Sequence, residues 1–178
     1  MAGSELSGSR VGGVTLKPGG SFSAEGRWYD NNDGTITDTT TGLVWLKDLS
    51  WKGSVAFAYP SGQYCLPFPV GECDSFSLLT SLQNGVGGLS DGSATGDWRM
   101  PLLKELQSLM TGVEPVSYAA QQLFVGIVGV GGRYWTTTKS NYQGSVYGVD
   151  FSDGGVLVMS LETMSPYKGY LFPVRSGL

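Results

Sequence analysis

Apolar residues recur along this chain in two rhythms, and the change of rhythm marks its elements. Leu102, Leu103, Leu106, Leu109 and Met110 stand at helical spacing with Lys104, Glu105 and Gln107 between them, so one stripe is apolar and the rest can face water. The pattern predicts a docking helix of about three turns. Pro101 opens it, because a first helical turn has no partner for the N–H that proline lacks. A shorter helix is expected over Ser75 to Asn84, where Phe76, Leu78, Leu79 and Leu82 cluster on one side and Gly85 is the stop. Elsewhere the period is two. Residues 26 to 47 read as strand, turn at Asn32-Asp33-Gly34, strand, turn at Thr41-Gly42, strand, and a strand is expected at Gly13 to Lys17. Asp97-Trp98-Arg99 reads as a short strand, and terminal strands fall near 133 to 138, 145 to 151, 155 to 161 and 170 to 175. Ser152-Asp153-Gly154-Gly155 is a tight polar loop between two of them. Residues 48 to 73 read as irregular, Gly85 to Gly96 as a glycine-rich loop, and 113 to 132 as ambiguous. The fold class is α+β: two short helices flanking a mostly antiparallel sheet, with long loops.

Composition narrows the class. The chain has 178 residues, 28 of them glycine, and only 15% are charged, which describes a loop-rich β-containing protein rather than a helical bundle. Residues 1 to 25, rich in Gly and Ser, read as an expression leader and linker, and 26 to 178 as one domain. The formal charge of −4 argues against a nucleic-acid surface, which needs a field of Lys and Arg. No apolar run approaches the roughly eighteen residues of a membrane span.

Candidate chemistry is sparse. Cys65 and Cys73 enclose Leu-Pro-Phe-Pro-Val-Gly-Glu, a stretch that two prolines and a glycine can fold into a closed loop. A local disulfide is the expectation and two free thiols the alternative; a metal pair is disfavoured because the chain has no histidine to complete a site. Asp30 to Gly34 invites a calcium-loop reading, yet aligning Gly34 with the obligatory glycine puts Tyr29 and Thr40 where carboxylates are needed. A hairpin turn explains the same letters, and neither metal nor cofactor is expected. Without histidine there is no Ser/His or Cys/His relay. Asp150 and Asp153 could pair as acid and base only at a suitable separation, so the expected class is not an enzyme, with a hydrolase kept as a remote alternative.

The motifs resemble one bacterial family. They are Trp28-Tyr29-Asp30-Asn31-Asn32-Asp33-Gly34-Thr35-Ile36-Thr37-Asp38, then Thr41-Gly42-Leu43-Val44-Trp45-Leu46-Lys47, Gly88-Leu89-Ser90-Asp91-Gly92-Ser93, Asp97-Trp98-Arg99-Met100-Pro101, Tyr134-Trp135-Thr136-Thr137-Thr138 and Pro173-Val174-Arg175-Ser176-Gly177. In this order, over residues 26 to 177, they resemble the extracellular domains that include the C-terminal domain of the collagen-like adhesin Lcl, related to the C-type lectin fold. The chain departs from the family in its cysteines: members place them where this chain has Gly87 and Pro173. The resemblance implies a C-type lectin-like domain of bacterial or phage origin, secreted or on the cell surface. It also implies ligand binding, and some members are targets of diversity-generating retroelements. The calcium-binding triplet of sugar-binding relatives is missing, since Glu114-Pro115-Val116 is the nearest approach. Formylglycine-generating enzymes share the wider fold, but the cysteines here sit in a proline-rich loop.

A binding surface is expected on the terminal sheet. Phe151, Val149, Tyr147, Val156 and Val158 share one face by alternation, taken as core. Gly148, Asp150, Leu157, Met159 and Leu161 then form the outer face, an apolar patch that needs a partner. Lys139, Asn141, Tyr142 and Tyr167 join it from flanking loops of the adaptable Tyr, Asn and Ser type. The alternatives are the inverse in/out assignment and cover of this face by the loop 113 to 132. The expected function is binding of a protein or glycan through this sheet and its loops; a structural or oligomerisation module of a bacterial envelope protein is the alternative. Sparse cations in the block, Arg133, Lys139, Lys168 and Arg175, do not favour an anionic glycan.

Overall fold

The computed structural model of the chain describes residues 10–11, 14–51, 75–110, 122–129, 132–160 and 169–177. Along these residues run β1 (Arg10–Val11), β2 (Val14–Thr15), β3 (Ser21–Phe22), β4 (Trp28–Asp30), β5 (Thr35–Asp38), β6 (Leu43–Leu46), α1 (Ser75–Ser81), α2 (Leu103–Gln107), β7 (Arg133–Lys139), β8 (Ser145–Asp150), β9 (Val156–Ser160) and β10 (Val174–Ser176). The strands pair antiparallel as a small β1-β2 ribbon, a five-stranded sheet in the order β10-β6-β5-β4-β3, and a three-stranded sheet β7-β8-β9. The architecture is α+β and antiparallel as the sequence predicts, with its strands divided between sheets rather than gathered in one. The segment expected to be a strand at Asp97 to Arg99 contributes only a single bridge, Arg99 to Val174.

The turn before β5 shows why its letters are Asn-Asp-Gly. Asn32 and Gly34 take positive φ, 57° and 87°, which asparagine tolerates and glycine adopts freely. A Cβ at Gly34 would also stand 2.5 Å from the Gly88 carbonyl oxygen. The glycine therefore lets the 85–92 loop close over the turn, where the Ser90 N–H donates to the Asp33 carbonyl at 2.8 Å. Asp38, at the far end of β5, is fully buried and accepts from Arg27 Nη2 at 2.6 Å, Arg27 Nε at 3.0 Å and Thr41 Oγ1 at 2.9 Å.

Alternation distributes the core over both faces of the larger sheet. Trp28, Ile36, Trp45 and Val174 pack on one face with Leu106, Leu109, Phe124 and Phe172, and with Tyr134, Val149 and Phe151 of the smaller sheet. On the opposite face Val44 and Leu46 meet Leu82, Leu89 and Trp98. A third cluster joins Trp135, Val146 and Met159 to Leu78 and Leu79 of α1, Met100 and Leu171. Trp98 and Trp135 are buried, as their aromatic size predicts. Arg99 is held by a carboxylate, Glu105, at 2.7 and 2.8 Å, but its side chain is half exposed rather than enclosed.

The docking helix is shorter than its stripe. α2 spans five residues, and beyond it the Leu109 and Met110 amides bond three residues back, to Leu106 and Gln107. These tighter turns keep the later apolar side chains over the core after the α-helix has ended. Pro101 lies just outside, before the cap at Leu102. The cap has no side-chain acceptor of its own, so neighbours serve the first N–H groups: Glu105 Oε2 accepts from Leu102 at 2.7 Å and Thr138 Oγ1 of β7 accepts from Leu103 at 2.8 Å.

The segment 169–176 ties the two larger sheets together. Tyr170 bridges Tyr134 of β7, exchanging hydrogen bonds with Arg133 and Trp135 at 2.7 and 3.0 Å. Four residues later Val174 pairs with Trp45 of β6 on one side and Arg99 on the other.

Candidate binding surface

The three-stranded sheet carries most of the predicted site. Its register pairs Val146 with Met159, Gly148 with Leu157, Tyr147 with Val158 and Val149 with Val156. The two groups of side chains that alternation aligns are therefore the ones read from the sequence. Which group lies inside differs. Met159 is 0% exposed and sits in the cluster with Trp135 and α1, and Leu157 packs at its edge. Gly148 is buried beneath them, where a Cβ would stand 2.2 Å from Met159 Sδ. None of these three can serve as an exposed anchor. The reason is the placement of α1, Met100 and Leu171, which cover this face.

The other face has two environments. Toward β7 it is core, with Tyr134, Val149 and Phe151 stacked into the main cluster. Toward β9, the last strand of this sheet, it opens: Val156 and Val158 are 45% and 41% exposed, and Tyr147 beside Val158 is half-buried. The sequence reading placed these valines inside. Period-two alternation cannot say which face a neighbouring element covers, so no signal in the strand itself would have found them.

The flanking residues fall as follows. Lys139 ends β7, and Asn141 and Tyr142 lie in the β7–β8 turn, all exposed. Tyr142, at 69%, is the most open of the large apolar side chains among the described residues, and its N–H is fixed by Ser140 Oγ at 3.0 Å. Because Ser145 pairs with Ser160, this turn stands at the Ser160 end of β9, one end of the valine strip. Leu161 and Tyr167 lie outside the described residues, as do Cys65 and Cys73.

Asp150 is half-buried opposite Arg133, whose Nε approaches Oδ2 at 3.7 Å. Oδ1 accepts from the Ser152 amide at 2.9 Å and from the Ser152 hydroxyl. Burial alone would raise its pKa, but the Ser152 hydrogen bonds and the Arg133 charge outweigh it and hold the carboxyl below the usual aspartate range. Asp153 is occupied separately, accepting from the Gly155 amide at 2.7 Å. The pair is thus a turn-forming device, each carboxylate engaged by a backbone amide of its own loop. Asp33 is similarly occupied, by the Lys17 ammonium and by the Thr35 amide and hydroxyl. Among the described residues no group of three or more His, Cys, Asp or Glu could hold a metal ion, and no helix is long and apolar enough to cross a membrane.

A family model described as the Lcl C-terminal domain matches residues 34–175. No curated protein and no solved structure matches the chain.

Proposed function

We propose that this chain, which belongs to the Lcl C-terminal domain family, is a non-enzymatic binding domain of C-type lectin type, displayed outside the cell in the manner of an adhesin. Its partner is a protein, met by the open face of β9 and the adjoining β7–β8 turn. The observation that carries this reading is the pair Val156 and Val158, exposed on the uncovered face of β9, with the exposed Tyr142 in the turn beside its Ser160 end. Apolar side chains left open together are unfavourable in water and favour association. Asn141, beside Tyr142 in the turn, gives the rim a polar contact. The engagement of both Asp150 and Asp153 in their own turn supports a binding rather than a hydrolytic role.

The test uses the immobilised domain against a panel of extracellular-matrix proteins. Val158→Lys and Tyr142→Ala should leave the melting temperature within a few degrees and weaken capture at least about tenfold, as for anchors at an interface centre. Unchanged capture in both variants sinks this surface. If Val158→Lys instead converts an oligomer of the domain to monomers, the strip is a self-association face and the oligomerisation-module reading replaces this one.

The retroelement reading has its own constraint. Tyr134, Trp135, Val146, Val149, Phe151 and Met159 are buried, so diversification within 133 to 176 would have to fall on exposed positions such as Lys139, Tyr142, Val156 and Val158. A reverse transcriptase gene beside a near-copy of the DNA encoding this block, differing at those codons, is the result expected from it. A neighbourhood without one leaves a fixed specificity.

A further inference from the structure

Residues 14 to 18, read from the sequence as part of a linker, lie against the face of the five-stranded sheet that carries Val44. Among the described strands β2 pairs with β1 alone, so side-chain contacts rather than a ladder hold this segment to the domain. Leu16 is 3% exposed, yet it packs outside the three core clusters. The Lys17 carbonyl accepts from the Tyr29 hydroxyl at 2.7 Å, and the Lys17 ammonium donates to Asp33 Oδ2 at 2.5 Å and to the Asp91 carbonyl at 2.9 Å. Asp33 and Asp91 belong to the turn and the loop that close over each other through the Ser90 amide, so the lysine enters a site built by two distant segments. Pro18 and Gly19 follow. Gly19 takes a φ of 88°, with open space where a Cβ would stand, so the segment ends at a point where the chain can swing before β3 begins.

The fit of this clasp is incomplete. A mostly apolar cavity of ≈ 240 Å³ remains, walled by residues 14 to 18 on one side and by Asn31, Thr37, Val44, Arg175 and Gly177 on the other. Thr37 and Val44 are register partners on β5 and β6, and the Asn31 amide is spent on the Thr35 and Thr37 hydroxyls, each at 2.8 Å. The sheet side is thus fixed before the clasp arrives. Because packing stabilises in proportion to the apolar area it removes from water, a segment that leaves space beneath it gives up less on departure than a filled one would. Its charged contact is also within reach of a competitor: the Lys17 side chain is 41% exposed, while that of Asp33 is 9% exposed. Leu16 and Lys17 therefore occupy an apolar slot and an adjoining cation site, both formed by the rest of the domain.

We propose that this groove is a recognition site for an extended peptide segment in which an aliphatic residue directly precedes a lysine, and that residues 14 to 18 hold it closed as a built-in substitute. The ligand is such a segment of a partner protein, which displaces the clasp. No residue of the β9 face lines the groove, so the site stands apart from that surface. The experiment follows, by fluorescence anisotropy, the binding of a dye-labelled peptide of residues 14 to 20 to the full chain and to full-length Leu16→Ser and Lys17→Gln variants. The parent binds only through the fraction of molecules whose clasp is open, so both variants should bind at least about tenfold more tightly than it does. The same peptide carrying Lys17→Glu should bind them at least about tenfold more weakly, because it sets a carboxylate against Asp33. Equal binding by parent and variants, no binding by either variant, or indifference to the charge reversal would each overturn the proposal. So would a Leu16→Ser chain that no longer melts cooperatively, since the segment would then be part of the core rather than a releasable clasp.

Discussion

Glu105 does more than close one ion pair. It receives both Nη atoms of Arg99 and the Leu102 amide, so one carboxylate fixes the start of α2 and the arginine that borders two clefts. Burial pushes its pKa up, but the Arg99 and Leu102 hydrogen bonds together with the Arg99 charge bring it below the ordinary value. A carboxyl that stays ionised to lower pH when folded contributes stability that is complete above the unfolded-state pKa, ~4.3 for glutamate. That contribution is lost as pH falls through the depressed folded value. Glu105→Gln should therefore melt below the parent near neutrality, and the gap should close in acid; a gap independent of pH would show that shape rather than charge is what the glutamine fails to supply. A carboxylate partner for Arg99 was foreseeable from the cost of burying an unpaired guanidinium. Its half exposure was not, because that depends on the clefts on either side.

At the scale of single elements, β9 shows what a strand's letters carry. Alternation told which side chains travel together, Val156 with Val158 and Leu157 with Met159, and the register agrees. It left the inner face open, because that choice belongs to α1, which lies far away in sequence. The consequence is a reversal of roles for one substitution: Met159→Lys places an ammonium among Trp135, Leu79 and Leu171 and should destabilise the domain by several kcal/mol, on the order of 3 or more for an unpaired buried charge. A Met159→Lys variant that melts like the parent would contradict the packing of α1 on this sheet. The Asn32-Asp33-Gly34 turn was legible in full, since φ preference and Asx hydrogen bonding are local matters. With Asp33 engaged by Lys17 and Thr35, EDTA should leave the melting temperature unchanged; a fall restored by calcium would mean that an ion binds the folded state. The length of α2 was overread because a leucine stripe persists through turns that are no longer α-helical.

Across the whole molecule the order of motifs was enough to indicate the family, while the division between the five-stranded and three-stranded sheets was not visible, because it rests on where the chain's last described residues go. Those residues, 169–176, lie against β7 and then enter beside β6. Val174 thereby meets Trp45, a partner well over a hundred residues earlier in the chain. Contacts of such separation must be made against a large loop-closure entropy, and chains dominated by them fold slowly. During synthesis the larger sheet lacks its β10 edge, and the smaller one its Tyr170 bridge, until this short segment has left the ribosome. Nascent chains arrested just before Gly169 emerges should then be cut readily by protease, with resistance arriving in one step once Ser176 is out. Resistance acquired earlier would show that the sheets mature one at a time. A domain closed this way is committed to its final shape only once its last strand has been made, so a chaperone that holds the unfinished domain would have to act on nearly its whole length.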